Sequence, residues 1–186
     1  MPDSIKSLLK AALAAGTAIG LIVLGLFTLA GVITGLLGLP VRLDLPQVPR
    51  LMGAALLLAG LGLALWLFKY RSPQTMIVST YYTFVKMFTR AHASKLEGRT
   101  EPLVVNGPQK YVRNPLYLAA TSIFLGWAFI TGSTSSFVGV GFVLLWFRFV
   151  QIPFEEKELQ AIFGDQYSRY SKEVPMLIPF PNRRLR

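Results

Sequence analysis

Long uncharged apolar runs alternate along this chain with shorter polar and mostly basic ones. No charged residue falls within positions 11–40, and positions 51–68 form a second uncharged run. Positions 116–132 and 133–147 form two more, the last closing on Arg148. With a few flanking positions each supplies close to the ~20 helical residues that a bilayer core of ~30 Å requires. The first run far exceeds the ~7–15 apolar residues of a signal-peptide core, yet is too short for two crossings, so it predicts one tilted helix. The pattern therefore predicts an all-α integral membrane bundle of about four transmembrane helices.

The polar intervals carry patterns of their own. Within 69–110, Ile77, Tyr81, Phe84 and Phe88 recur at i, i+4, i+7 and i+11, while Lys86 and Arg90 sit off that stripe. This predicts an amphipathic helix lying at the interface or over the cytoplasmic ends of the bundle. A short extended run, 103–105, then closes on an Asn-Gly-Pro turn and delivers the chain into YVRNPLY, residues 111–117. After the last span, Pro153 marks a helix start and places Glu155 and Glu156 in a first turn, where the helix dipole favours anions. Gly164 reads as a helix stop, and Asp165 as the cap of a further helix on which Tyr167, Tyr170 and Val174 share a face. Residues 1–70 thus hold two spans, 71–110 an interfacial segment and loop, and 111–186 a core of two spans with cytoplasmic helices. Gly16, Gly20, Gly31 and Gly35 in the first helix and Gly53, Gly60 and Gly62 in the second allow close helix approach, within the chain or across a homodimer seam.

Charge sets the expected orientation. Of 19 Lys and Arg, 17 fall on one side of a four-span model and only Arg42 and Arg50 on the other. The positive-inside rule then puts both termini in the cytoplasm, in a multi-pass protein of the cytoplasmic (inner) membrane. The net charge of +10 is accounted for by topology and anionic headgroups, without nucleic acid as a partner. The absence of cysteine excludes disulfides, thiolate nucleophiles and cysteine metal sites. A single histidine, His92, excludes multi-histidine metal sites and reads as a loop residue.

Glu155, Glu156 and Glu158 read at first as a solvated acidic face. They also abut a membrane span in an otherwise basic chain, and topology returns them to the side of Arg113 and Asn114. Opposite charges interact more strongly at a low-dielectric boundary, and such a pair can grip a zwitterionic ligand.

The string Gly107, Tyr111, Arg113, Asn114, Pro115, Tyr117, then two spans, then Glu155, Glu156, Leu159, Phe163, Gly164, Tyr167 and Tyr170, with Pro175 and Pro179 beyond, resembles the isoprenylcysteine carboxyl methyltransferase family. It is also similar to the related phospholipid N-methyltransferases. The resemblance covers about 102–179 and implies an integral membrane methyltransferase that uses S-adenosylmethionine and a lipophilic acceptor from the bilayer. By position, Leu103 and Val104 would contact the adenosine part through their backbone, with Glu101 and Pro102 just upstream and Gln109 nearby. Asn114, Pro115, Leu116 and Tyr117 would line the cofactor, and Glu155 would hold its methionine end or ribose. Arg113 and Glu156 would hold the catalytic site together, and Arg148 and Gln151 would face the acceptor; no metal is implied.

Three positions depart from the pattern. Asn114 stands where a histidine is usual, Gln109 where a tyrosine is, and Gln151 where an arginine precedes the first glutamate. If that arginine orients an acceptor carboxylate, Arg148, one helical turn earlier, is the candidate substitute. Carboxyl methylation, phospholipid N-methylation, an NADPH-binding reductase-like role and a non-catalytic membrane scaffold all remain open at this point, as does the oligomeric state.

Overall fold

The computed structural model describes residues 5–89 and 102–179. Helix α1, Ile5–Leu36, spans the first apolar run without a break, and α2, Gln47–Phe68, spans the second. The amphipathic segment is α3, Pro73–Thr89. A 3-10 turn, Gly107–Lys110, leads to α4, Pro115–Thr131, and then α5, Thr134–Trp146, α6, Ile152–Phe163, and α7, Asp165–Glu173. Among the described residues the extended backbone amounts to one isolated bridge, Arg42 to Ser133. The chain is an all-helical membrane bundle. Among the described residues three helical stretches, 8–36, 47–68 and 134–163, are long and apolar enough to cross a membrane, and α4 is a shorter apolar helix of 17 residues. At 1.5 Å per residue α4 is about 26 Å long, a little under the bilayer core.

Close approach of backbones joins α2 to α4. A Cβ added at Gly126 would lie 2.6 Å from the Gly53 carbonyl oxygen, and one at Gly60 would lie 2.8 Å from that of Ala119. Gly53 and Gly60 of α2 therefore serve packing within the chain, as small residues do where no hydrophobic effect drives helices together, whereas Gly62 has nothing within 4 Å of an added Cβ. The glycines of α1 do not serve it: Gly16, Gly20, Gly31 and Gly35 have nothing within 4 Å of an added Cβ. Instead α1 meets α5 by inserting the Phe27 ring into the notch at Gly139, and buries Ala11, Ala15, Ala30 and Thr34. Many leucines of α1 and α2, such as Leu21, Leu24, Leu58 and Leu65, are exposed, as a lipid-facing surface requires.

Two loops meet at one end of the bundle. Gly132, at φ 64°, ends α4 in the left-handed conformation that favours glycine. Its carbonyl accepts from Leu43 N at 2.8 Å, while Thr134 N donates to the Val41 carbonyl at 3.2 Å. The opposite end gathers the start of α4, α6, α7 and the tail, where Arg113 N and Asn114 N donate to the carbonyls of Pro175 and Met176 at 2.9 and 3.2 Å. The start of α1 and the last described residues thus share an end.

The expected helix start at Pro153 is absent. From Thr134 to Phe163 the chain is helical throughout, with a π-helical turn, Phe147–Gln151, joining α5 to α6. A proline inside a helix removes one backbone donor and crowds the preceding turn, and the wider π turn just before it absorbs that. Glu155 and Glu156 consequently do not sit at a free helix N-terminus, and their side-chain partners hold them instead. Gly164, at φ 50°, does stop α6, but Gly164 rather than Asp165 occupies the cap position of α7.

Candidate functional site

The YVRNPLY stretch is tied down by the side chains of Arg113, Asn114 and Tyr117. Arg113 Nε and Nη2 donate to the two carboxylate oxygens of Glu156 at 2.9 and 3.1 Å. Its Nη1 donates to the carbonyls of Ser171 and Val174, at 2.5 and 2.8 Å. The planar guanidinium fork suits this double pairing, and it joins the entry of α4, α6 and the end of α7 in one contact. Asn114 does not cap α4 with its side chain; its Nδ2 donates to Glu156 Oε1 at 3.3 Å and to the Met176 carbonyl at 3.2 Å. Pro115 takes the first helical position, where a missing N–H costs nothing.

Glu155 belongs to a second, adjacent set. Its Oε1 accepts from the Tyr117 hydroxyl at 2.5 Å and from Gln151 Nε2 at 3.2 Å. The Tyr117 ring lies 4.6 Å from that of Phe147, in the π turn. Gln151 is 3% exposed and Gln109 5%, and the Oε1 of each is buried without a partner. Two unsatisfied acceptors near one carboxylate make this region complementary to a ligand bearing hydrogen-bond donors or positive charge.

These residues surround an open pocket of about 860 Å³, counting the part that opens to solvent. Of the positions singled out in the sequence, Pro102, Leu103, Val104, Gln109, Arg113, Asn114, Pro115, Leu116, Tyr117 and Glu155 line it. Glu156 and Gln151 are one hydrogen bond away from lining residues. Arg148 is elsewhere: exposed, with its guanidinium 5.5 Å from the centre of the Phe149 ring, so it does not take over the pocket side of position 151. Glu101 and His92 lie outside the described residues. Gly107, at φ 62°, turns the lining loop against α2, and an added Cβ there would fall 2.5 Å from the Tyr70 ring.

Pattern reading missed one whole wall. Leu67 at the end of α2, Arg71 before α3, and Met76, Ser79 and Thr80 on α3 line the pocket; Leu159, Phe163, Tyr167 and Tyr170, already part of the sequence string, line it as well. The apolar stripe of α3 was visible, and its polar face looked like a solvent face. In the fold that face is turned inward, with Thr83 and Lys86 buried. Burial, with the nearby Glu156 carboxylate adding to it, pushes the Tyr167 hydroxyl well above its ordinary range, and burial does the same to Tyr170. Both therefore stay neutral; Tyr170 donates to the Gln109 carbonyl at 2.7 Å and so fixes the lining loop to α7.

A profile of the phospholipid methyltransferase family matches residues 48–166, more than half of the chain and all but the first residue of α2 through α6. The chain belongs to the phospholipid methyltransferase family. Among its relatives is the methanethiol S-methyltransferase of Mycobacterium tuberculosis, 30% identical over 127 residues, which are 64% of this chain and 50% of that protein. The methanethiol S-methyltransferase of Crocosphaera subtropica is 39% identical over 71 residues, 38% of this chain and 27% of its own. The protein-S-isoprenylcysteine O-methyltransferase of Schizosaccharomyces pombe is 36% identical over 92 residues, 50% and 39% respectively. The chain thus spans half or less of the length of these relatives. No solved structure matches it. For a member of the phospholipid methyltransferase family, the matched region contains both halves of the ionic framework, Arg113 and Asn114 on one side and Glu155 and Glu156 on the other.

Proposed function

We propose that the protein is a membrane methyltransferase that binds S-adenosylmethionine in the pocket between α3, the 102–117 segment and α6, and methylates a lipophilic acceptor. The single observation that carries this is the pairing of a donor-seeking pocket, with Glu155 and the unpartnered Gln109 Oε1, to membership of the phospholipid methyltransferase family. The residues fit the cofactor's chemistry. Glu155 suits an ammonium or sulfonium group, Gln109 Oε1 suits an amino or hydroxyl donor, and the irregular 102–105 backbone offers contacts to a flat ring system. When bound, S-adenosylmethionine supplies an electrophilic methyl group on a sulfonium centre.

The chain's own part is positioning. Transfer of a methyl group needs an in-line approach and little water, so fixed walls and exclusion of solvent supply much of the rate. Arg113 and Glu156 act as positioning residues, since their charged atoms pair with each other and with tail carbonyls. Tyr117 and Gln151 orient the Glu155 carboxylate. With the Arg113 guanidinium committed in this way and Gln151 neutral, the acceptor end favours a thiol or an amine over a carboxylate. The names of the methanethiol S-methyltransferases agree with a thiol, the family's name with a phospholipid, and the name of the isoprenylcysteine O-methyltransferase with an oxygen acceptor. The strong basic asymmetry supports an orientation with both termini and the pocket on the cytoplasmic side, where the cofactor is available.

Calorimetry on purified protein in detergent tests the proposal. S-adenosylmethionine is expected to bind and NADPH not to, and Glu155→Ala is expected to weaken binding about tenfold or more, the loss of one charged hydrogen bond of ~1.5–3 kcal/mol. Binding of NADPH alone, or unchanged affinity in Glu155→Ala, contradicts it.

A further inference from the structure

The acidic cluster of α6 splits three ways. Glu155 faces the pocket, Glu156 pairs with Arg113, and Glu158 pairs with Lys86 of α3. This last pair is the most deeply buried of the three: Lys86 is 6% exposed and Glu158 2%. Removing two charges from water offsets most of their mutual attraction, and an apolar pair of similar volume often serves stability as well or better. What an ion pair with a hydrogen bond adds is direction, and hence a fixed register between the elements that carry it.

Register matters here because of what lies along the same faces. On α3 the positions Ser79, Thr83 and Lys86 follow the spacing i, i+4, i+7, one face of a helix. Thr83 is buried, and Ser79 with its neighbour Thr80 lines the pocket. On α6, Glu158 lies one turn beyond Glu155. While α3 packs mainly on α1, the Lys86–Glu158 contact ties it to α6 and so bears on how α3 is rotated and how far along α6 it sits. That in turn decides whether its two hydroxyls face the same ligand as Glu155.

We propose that Lys86 and Glu158 are positioning residues that lock α3 in place as a wall of the binding pocket, and that Ser79 and Thr80 are ligand-binding hydroxyls on that wall. The proposal rests on the reading of this pocket as the S-adenosylmethionine site.

Its test is the apolar replacement Lys86→Leu with Glu158→Leu, which removes both charges and leaves neither one buried alone. In detergent this double variant is expected to melt near the parent temperature but to bind S-adenosylmethionine at least tenfold more weakly, with Thr80→Val weakening binding in an otherwise unaltered α3. A ligand-free readout separates this from failure of the cofactor reading. The chain has no cysteine, so Thr83→Cys provides a unique thiol on the buried face. Its labelling by a water-soluble maleimide is expected to be slow with the ion pair intact and at least tenfold faster in the double apolar background. If the parent binds no S-adenosylmethionine but the labelling rates differ as stated, the cofactor reading fails and the register lock stands. Labelling rates that match in the two backgrounds overturn the lock, as does a double variant that binds S-adenosylmethionine like the parent. Should the double variant fail to fold, parent-like affinity in Thr80→Val combined with Ser79→Ala overturns the assignment of the wall.

Discussion

Arg113 lines the pocket with its charged atoms committed to partners within the chain. Its side chain makes two bonds to Glu156 and two to tail carbonyls, so Arg113→Lys should lose the planar fork while keeping the charge. The expected result is a fall in melting temperature of several degrees, from about 1.5–3 kcal/mol of lost charged hydrogen bonding, together with loss of cofactor affinity, measured by thermal melts and calorimetry. A lysine variant that melts and binds like the parent would reduce Arg113 to a membrane-edge charge. Tyr167 gives a pH prediction. Its folded hydroxyl titrates above the ordinary value of 10.0 because burial, and then Glu156, disfavour the anion. An unfolded tyrosine ionises first, so this contribution is fully present below pH 10 and is lost as pH rises beyond it. Melting temperature should therefore fall on raising the pH above 10, and fall less steeply in Tyr167→Phe. At this scale the sequence was informative wherever residue type and spacing together restrict chemistry, as in Asn114-Pro115 and the Glu155-Glu156 pair. It named Gln151 and Arg148 but could not place them, because a π turn shifts the register by one residue and only the backbone reveals it.

The helices α2 and α4 depend on glycine at the points of closest approach. Gly126→Val would put side-chain atoms into the Gly53 carbonyl and the Leu57 backbone, with neither helix able to yield cheaply. Overpacking of this kind costs about 1–3 kcal/mol or more, so the variant is expected to melt several degrees lower in detergent. Gly20→Val in α1, where nothing lies within 4 Å of the added Cβ, is expected to melt like the parent. Equal effects at the two positions would show that the seam is not where backbones meet. Apolar runs gave the spans within a few residues because lipid demands uninterrupted hydrophobicity. The same runs could not show which glycines face a neighbour, since lipid and a packed helix are equally apolar. The placement of α3 was half visible for a related reason: the stripe of Ile77, Tyr81 and Phe84 announces one buried face, whereas Ser79, Thr83 and Lys86 read alike for water and for a polar site.

For the whole molecule, the basic asymmetry and the fold agree on one arrangement. The 37–46 and 132–133 loops meet at one end through Leu43, Arg42 and Ser133, and the site, the tail and the start of α1 occupy the other. A cysteine at Ser135 is accordingly expected to react with an impermeant reagent on intact cells, and one at Lys10 only after lysis; the reverse pattern would invert the topology. The fold class and the ionic halves of the site were visible in the sequence because a membrane imposes long-range order on composition. The pocket's third wall was not, because it arises from packing between segments about 70 residues apart. The most direct test of the account as a whole is methyl transfer itself. Purified protein in lipid vesicles would be given methyl-labelled S-adenosylmethionine with long-chain acceptors ending in a thiol, an amine or a carboxylate. Label is expected in the organic extract, greatest for the thiol or amine, with one S-adenosylhomocysteine formed per methyl transferred and almost none of either in Glu155→Ala. Label and S-adenosylhomocysteine no higher than in Glu155→Ala for all three acceptors would contradict it.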